Sequence, residues 1–318
     1  MKRRGALVVL AFAIAFATVL AGVRLDEDIS PPHAVNAVGS RLSPAPSPSA
    51  ASTQSTASPQ PASPQPAASP QPTARSFSTL ESEVAQLLDA SGAAAGVTLL
   101  ELWNGESWSL NGDQSFVAAS TYKLPVLMKD AEDIASGRAS PNDELCYDPG
   151  DWEDGYFSDY EAGACFTRAE LDRRAGAYSD NTAAHILVRY DGGTGALNAY
   201  ARSYGATESA FYDPNTTTSN DLARLLQAEA QGRAGGAAAQ AYLYPLLTHT
   251  EYEEGIPAGV PPGETVVHKV GFLNGAFNDA ALVQGGPRGS YVLTVVTDGG
   301  SWQLIAEVAQ LVAQFEAS

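Results

Sequence analysis

The chain has 318 residues and a mass of 33.1 kDa, enough for one large domain or two small ones. It carries 36 Asp+Glu against 18 Lys+Arg, a net charge of −18, and six of the basic residues (Lys2, Arg3, Arg4, Arg24, Arg41, Arg75) fall in the first 75 positions. The remainder is acidic enough to repel phosphate backbones and anionic membrane surfaces, which excludes a nucleic-acid partner, and two cysteines exclude both a multi-disulfide scaffold and a four-cysteine zinc site.

Met1 to Arg4 holds three positive charges, and Gly5 to Val23 then runs 19 residues without one. Residues 1–23 therefore read as a signal peptide or an N-terminal membrane anchor, with Val19-Leu20-Ala21 offering small residues for cleavage. Either outcome places the protein outside the cytoplasm, secreted or in the cell envelope. Residues 24–75 read as a disordered linker. Between 40 and 75, all but three residues are Pro, Ser, Ala, Gln or Thr, and Ala-Ser-Pro-Gln-Pro recurs at 57–61, 62–66 and 68–72. Such a composition buries no core and favours an extended chain.

The folded domain is expected at 76–318. Ser78-Thr79-Leu80-Glu81 has the capping-box pattern, and Leu80, Val84, Leu87 and Leu88 make a helical stripe ending near Gly92. Val97–Leu102 reads as a strand, and Asn104-Gly105 as a hairpin turn into a second strand around Trp108. From about Ala118 to Pro262 the signals are mostly helical, interrupted by a polar, aromatic-rich loop between Asp143 and Ala164. Strands return at 265–272, 279–283 and 291–296, and a helix with the stripe Leu304, Ile305, Val308, Leu311, Val312 and Phe315 closes the chain. Two early strands, three late ones and helices between them predict an α/β (α+β) fold. A five-stranded antiparallel sheet is flanked by terminal helices and carries an inserted all-α subdomain.

The chemistry starts from the lysines, because 76–318 holds only Lys123, Lys129 and Lys269. Lys123 stands three residues after Ser120, where an apolar helix begins, and positions i and i+3 share a helix face. A serine hydroxyl is a poor nucleophile until a base takes its proton, and a lysine neutralised by burial and nearby positive charge can do so. Alone, the pair is a weak signal, and a helix start followed by a solvated lysine fits it better. Ser179-Asp180-Asn181 ahead of a helical stretch, and His268-Lys269-Val270-Gly271 on a late strand, give it a context.

In this order and spacing the three elements resemble the Ser-x-x-Lys, Ser-Asp-Asn and Lys-Thr-Gly set of penicillin-recognising serine enzymes. The stretch from about Phe77 to Ala317 resembles the class A β-lactamase-like family, with further matches at 163–171, 216–218, 255–259 and 278–279. The resemblance implies a β-lactamase/transpeptidase-like fold and an exported serine hydrolase with no cofactor, acting as a monomer on a β-lactam or a peptidoglycan-like substrate. It implies that Ser120 is acylated, that Lys123 accepts its proton, and that Ser179 relays protons to the leaving nitrogen. Asn181 would hold the substrate's amide side chain, Lys269 would supply positive potential beside Gly271, and the N–H groups of Ser120 and Phe272 would form the oxyanion hole. A cell-wall peptidase or esterase, or a non-hydrolytic module that binds β-lactams or wall fragments, are the alternatives.

Three departures from the family pattern bear on turnover. Val270 replaces a hydroxyl residue, Phe277 stands where many relatives have arginine, and Thr207–Thr216 is too short for the omega loop and lacks Glu-x-x-Leu-Asn. That loop's glutamate activates the deacylating water, so slow β-lactam turnover is expected, with Glu208 and Asp213 as substitutes that spacing does not favour. Cys146 and Cys165 flank the aromatic loop as a possible disulfide. His185, on the Ser-Asp-Asn helix, is read as packing. The four histidines lack metal spacing, and the acids Asp151, Glu153, Asp154, Asp159 and Glu161 fit no calcium-loop pattern, so no metal is expected.

Overall fold

The computed structural model describes residues 76–318; the expected signal peptide or membrane anchor (1–23) and the expected linker (24–75) lie outside the described residues. No helix among the described residues is long and apolar enough to cross a membrane. The domain opens with α1 (Ser78–Ser91), β1 (Ala94–Glu101) and β2 (Ser107–Leu110), the last two joined through Asn104-Gly105 as the turn signal requires. It closes with β7 (Thr265–Leu273), β8 (Ala276–Gln284), β9 (Tyr291–Asp298) and α9 (Trp302–Ala317). Between them run β3 (Phe116–Val117), α2 (Lys123–Ala135), β4 (Glu144–Cys146), β5 (Cys165–Thr167) and α3 (Arg168–Ala177). Then follow α4 (Asn181–Tyr190), α5 (Gly193–Ser203), β6 (Thr216–Thr217), α6 (Ser219–Ala230), α7 (Gly236–Leu243) and the single turn α8 (Ile256–Gly259).

The five long strands pair antiparallel in the order β2-β1-β9-β8-β7, the expected sheet with its helical insertion. Alternation along the strands sorts their side chains onto two faces. Leu99, Val283, Leu293 and Val295 point toward α1 and α9, where they meet Val84, Leu88, Val308 and Val312. Leu282, Val292 and Val296 point the other way, into the helical layer around Leu124, Leu127, Ile186, Leu187 and Leu222. Each fully buried Leu or Val contributes about 1.5–3 kcal/mol, so the sheet is clamped from both sides.

The structure departs from expectation in two places. The capping box does not form: Phe77 takes the cap position in helical conformation, Ser78 is already inside α1, and the Phe77 ring packs on Phe315 at 5.1 Å. An aromatic contact between the terminal helices thus sets where α1 begins, and the Ser78 N–H is satisfied by Ser76 Oγ instead. The stretch 118–262 also holds short strand pairs, β3 with β6 and β4 with β5, whose two or three residues show no usable periodicity.

Cys146 and Cys165 face each other across β4 and β5 and are joined by a disulfide, closing the loop 147–164 at its neck. The acids of that loop are partly tied to arginines. Asp151 meets Arg189 at 2.7 Å and Asp159 meets Arg174 at 2.6 Å.

Candidate active site

Ser120 lies in one 3-10 turn, Ala119–Tyr122, that feeds directly into α2. Ala119 has φ 48°, a left-handed value that costs a non-glycine residue about 1–3 kcal/mol and persists only where neighbours hold it. The turn places Lys123 Nζ 2.9 Å from Ser120 Oγ. Nζ also lies 2.7 Å from Ser179 O and 2.6 Å from Asn181 Oδ1, and the side chain is completely buried. Burial, then the charge of Lys269, pushes Lys123 well below the ordinary lysine range. A neutral amine has two N–H bonds and one lone pair. Ser179 O and Asn181 Oδ1 can only accept, so both N–H bonds go to them and the lone pair is left for the Ser120 hydroxyl.

Ser179 has φ 58°, again left-handed, which lets its carbonyl reach Lys123 while its Oγ accepts from Lys269 Nζ at 3.0 Å. Asp180 caps α4: Oδ1 accepts from the Ala183 N–H and the Tyr160 hydroxyl, and Oδ2 from the Phe157 N–H. Its role is to hold the turn and the 147–164 loop together. Lys269, on β7, is buried and also donates to Val270 O at 3.2 Å. Burial lowers it to about 7 against the opposing pull of Asp279. Gly271 carries β7 past the nucleophile's turn, and Phe272, half-exposed, follows at the edge of the cavity.

That cavity holds about 320 Å³ and is lined by Ser120, Glu153, Asn181, His185, Tyr212 and Asn215, with Phe272 and Leu273 alongside. The residues expected to act with Ser120 therefore converge on one place, Lys123, Ser179 and Lys269 from behind it. A larger hollow of about 800 Å³ between α8 and α9 is lined without any Ser, Thr, Cys, Lys or His, and offers no serine with a lysine base beside it.

Glu208 and Asp213 do not line the cavity and are exposed; Glu208 is held by its backbone to Asp221 and accepts from the Thr207 hydroxyl. Phe277 packs edge-on against Trp302 at 5.1 Å, and Phe272 bridges Trp302 and Tyr252. An aromatic strip thus occupies the side where an arginine was missing. Tyr212 and Asn215 are not singled out by sequence, Glu153 is named there only among the acids of the 147–164 loop, and His185 is a cavity residue besides being a packed one. The signal for His185 was available: it lies four residues after Asn181, on the same face of α4.

Over residues 79–315 the sequence matches the model of the β-lactamase enzyme family. The chain belongs to that family. Among β-lactamase relatives, Toho-2 of Escherichia coli is 28% identical over 247 residues, covering 69% of this chain and 80% of its own. A mutant of PBP-A, solved as an acyl-enzyme complex with penicillin G, superposes with a TM-score of 0.71 at 27% identity, over 78% of this chain and all of its own. An ancestral class A β-lactamase superposes at 0.68 and 28% identity, over 74% and 99%. The protein is a class A β-lactamase-like serine hydrolase with the β-lactamase fold.

Proposed function

We propose that this β-lactamase-family protein is an exported hydrolase that β-lactams acylate at Ser120. The environment of Lys123 carries this reading: a buried lysine, both N–H bonds directed at pure acceptors, with Nζ 2.9 Å from the serine oxygen and its lone pair left for that hydroxyl. Ser120 Oγ attacks the lactam carbonyl, its proton passes to Lys123, and the oxyanion is met by the N–H groups of Ser120 and Phe272. The C–N bond then breaks, and the nitrogen takes a proton through Ser179 Oγ, which stands between the two lysines at 3.5 and 3.0 Å. Asn181 Nδ2 donates to Asp154 O at 2.8 Å and keeps a second N–H for the substrate's amide side chain. Lys269 draws the substrate's carboxylate by charge. The names of the relatives support β-lactams as the substrate class, and cell-wall peptides are the alternative acyl donors. The basic start, the apolar run 5–23 and the Pro-rich stretch support export with a tether or cleaved leader.

The test is intact mass of the full-length protein mixed with benzylpenicillin. An adduct is expected on the wild type and none on Ser120→Ala. An adduct on the alanine variant removes Ser120 as nucleophile, and a wild type with neither adduct nor turnover removes β-lactams.

A further inference from the structure

An acyl group on Ser120 leaves only if a water is activated beside it, and the segment 207–216 brings no carboxylate into the cavity. Another element does. Glu153 and His185 line the same 320 Å³ space as Ser120, and their side chains meet there, His185 Nε2 to Glu153 Oε2 at 3.0 Å. Glu153 is pinned in place: the buried Thr182 hydroxyl donates to Glu153 O at 2.8 Å and accepts from Glu153 N–H at 3.1 Å. Asn181 Nδ2 and Asp180 Oδ2 stitch the next residues of the loop to the start of α4. The Ser-Asp-Asn segment therefore positions this carboxylate as well as Lys123.

The His185 contact requires a shared proton. Nδ1 faces Asp151 O at 3.0 Å, and a carbonyl can only accept, so Nδ1 carries hydrogen. A neutral ring would then turn the Nε2 lone pair toward a carboxylate oxygen. The 3.0 Å contact is a hydrogen bond once the pair has taken up one proton, and the proton-free pair is a base. Asn215, at φ 60°, adds an acceptor: its Oδ1 is buried without a hydrogen-bond partner, while Nδ2 donates to Ala119 O beside the nucleophile.

We propose that Glu153, backed by His185, is the general base that activates the water releasing the acyl group from Ser120. The inference rests on the acylation of Ser120. Water adds its oxygen to the ester carbon as its proton passes to the Glu153–His185 pair. The tetrahedral oxyanion collapses, the bond to Ser120 Oγ breaks, and Oγ takes the proton that the pair had accepted, passed on through the Lys123 amine, which is neutral before and after. The product acid gives its proton to solvent and departs as a carboxylate. His185 touches Glu153 rather than the water and is a positioning residue.

The titratable and charged groups facing the pair are Asp151, itself bound to Arg189, together with Lys123, Tyr122 and Tyr212. Burial, outweighing the pull of Glu153, holds the His185 ring below its ordinary value, which favours the unprotonated ring near neutrality. Deacylation should therefore rise as pH increases through the acid side of neutrality and then level off.

The experiment follows decay of the benzylpenicillin adduct by intact mass on the full-length protein, from about pH 5 to 8, the range in which histidine changes charge. Wild type should shed the adduct with that rising profile. Glu153→Gln should hold it roughly 10²–10⁴ times longer, the usual loss when a positioned base is removed, with the pH step gone. His185→Gln should also slow decay and lose the step, and unchanged melting of both variants shows that the fold persists. Wild type and Glu153→Gln decaying within about twofold of each other, or a flat wild-type profile, overturns the assignment. A wild type that forms no adduct overturns Ser120 acylation, and this inference with it.

Discussion

Gly271 lies against the backbone of the nucleophile's turn: a Cβ on it would stand 2.9 Å from Ser120 N and 2.8 Å from both Ala118 O and Thr121 N. All three neighbours are backbone atoms, which cannot swing aside as a side chain end could. The close approach puts β7, and with it the Phe272 N–H, beside the Ser120 N–H, where two donors aimed at one oxygen are needed.

Gly271→Ala must push β7 or the turn away by several tenths of an ångström. The expected outcome is a fall of about 10² in the acylation rate with benzylpenicillin, since a misplacement approaching 1 Å costs that much. Stopped-flow acylation measured beside a thermal melt checks it. An alanine variant acylated at the wild-type rate shows that the approach is not needed for chemistry.

How much of this was legible in sequence depended on the range of the contact. Ser120 and Lys123 share a helix face three residues apart, and the late strands show runs of apolar residues such as 291–296 that a buried strand needs, so both could be read locally. Glu153 could not: it is 32 residues before His185, in a loop whose place is decided by bonds to Thr182, Asp180 and Asn181. Spacing carries no trace of such contacts. The capping pattern at Ser78 failed for the related reason that a distant ring, Phe315, outweighed a local cap. Asn215 depended on a left-handed backbone, which an asparagine permits but does not announce.

Lys269 gives the reaction a basic limit. With its value lowered to about 7, the ammonium that would attract an anionic substrate is present below that pH and lost above it. Lys123, also lowered, must be neutral to act and so sets the opposite, rising limb. A bell-shaped acylation kcat/KM is expected for benzylpenicillin, falling as pH rises through about 7. Lys269→Met should give a lower rate without the falling limb. A falling limb that survives the substitution assigns it elsewhere.

The disulfide between Cys146 and Cys165 ties down the loop that carries Glu153, across a sequence separation of 19. A loop of that size is worth about 3 kcal/mol through restriction of the unfolded chain. Cys146→Ser with Cys165→Ser should lower unfolding free energy by about that amount in urea titration. Alkylation of the unreduced wild type should label neither cysteine, and labelling of either in protein purified from an oxidising compartment contradicts the pairing.

His268 bears on stability rather than on the reaction. It is fully buried between β7 and its surroundings, with Nδ1 2.9 Å from Asp279 Oδ1 and Nε2 3.2 Å from Glu253 Oε1, and the Thr250 hydroxyl at 3.3 Å. Burial opposes the charged ring, but Asp279 and then Glu253 overcome it and raise His268 to about 9, above the ordinary 6.5. The folded protein therefore binds this proton more tightly than the unfolded chain. Its contribution is complete below about pH 6.5 and disappears as pH rises through 9, and a shift of that size corresponds to about 3 kcal/mol at most. The total stability does not show this directly, because Lys269 and Lys123 are lowered in the fold and add stability as pH rises over an overlapping range. The difference between wild type and His268→Gln cancels the lysines and isolates the ring. Denaturant unfolding at pH 6, 7.5 and 9.5 should find that difference shrinking by roughly 2–3 kcal/mol from the lowest pH to the highest. A difference that stays constant across the series would mean that His268 is neutral in the folded protein.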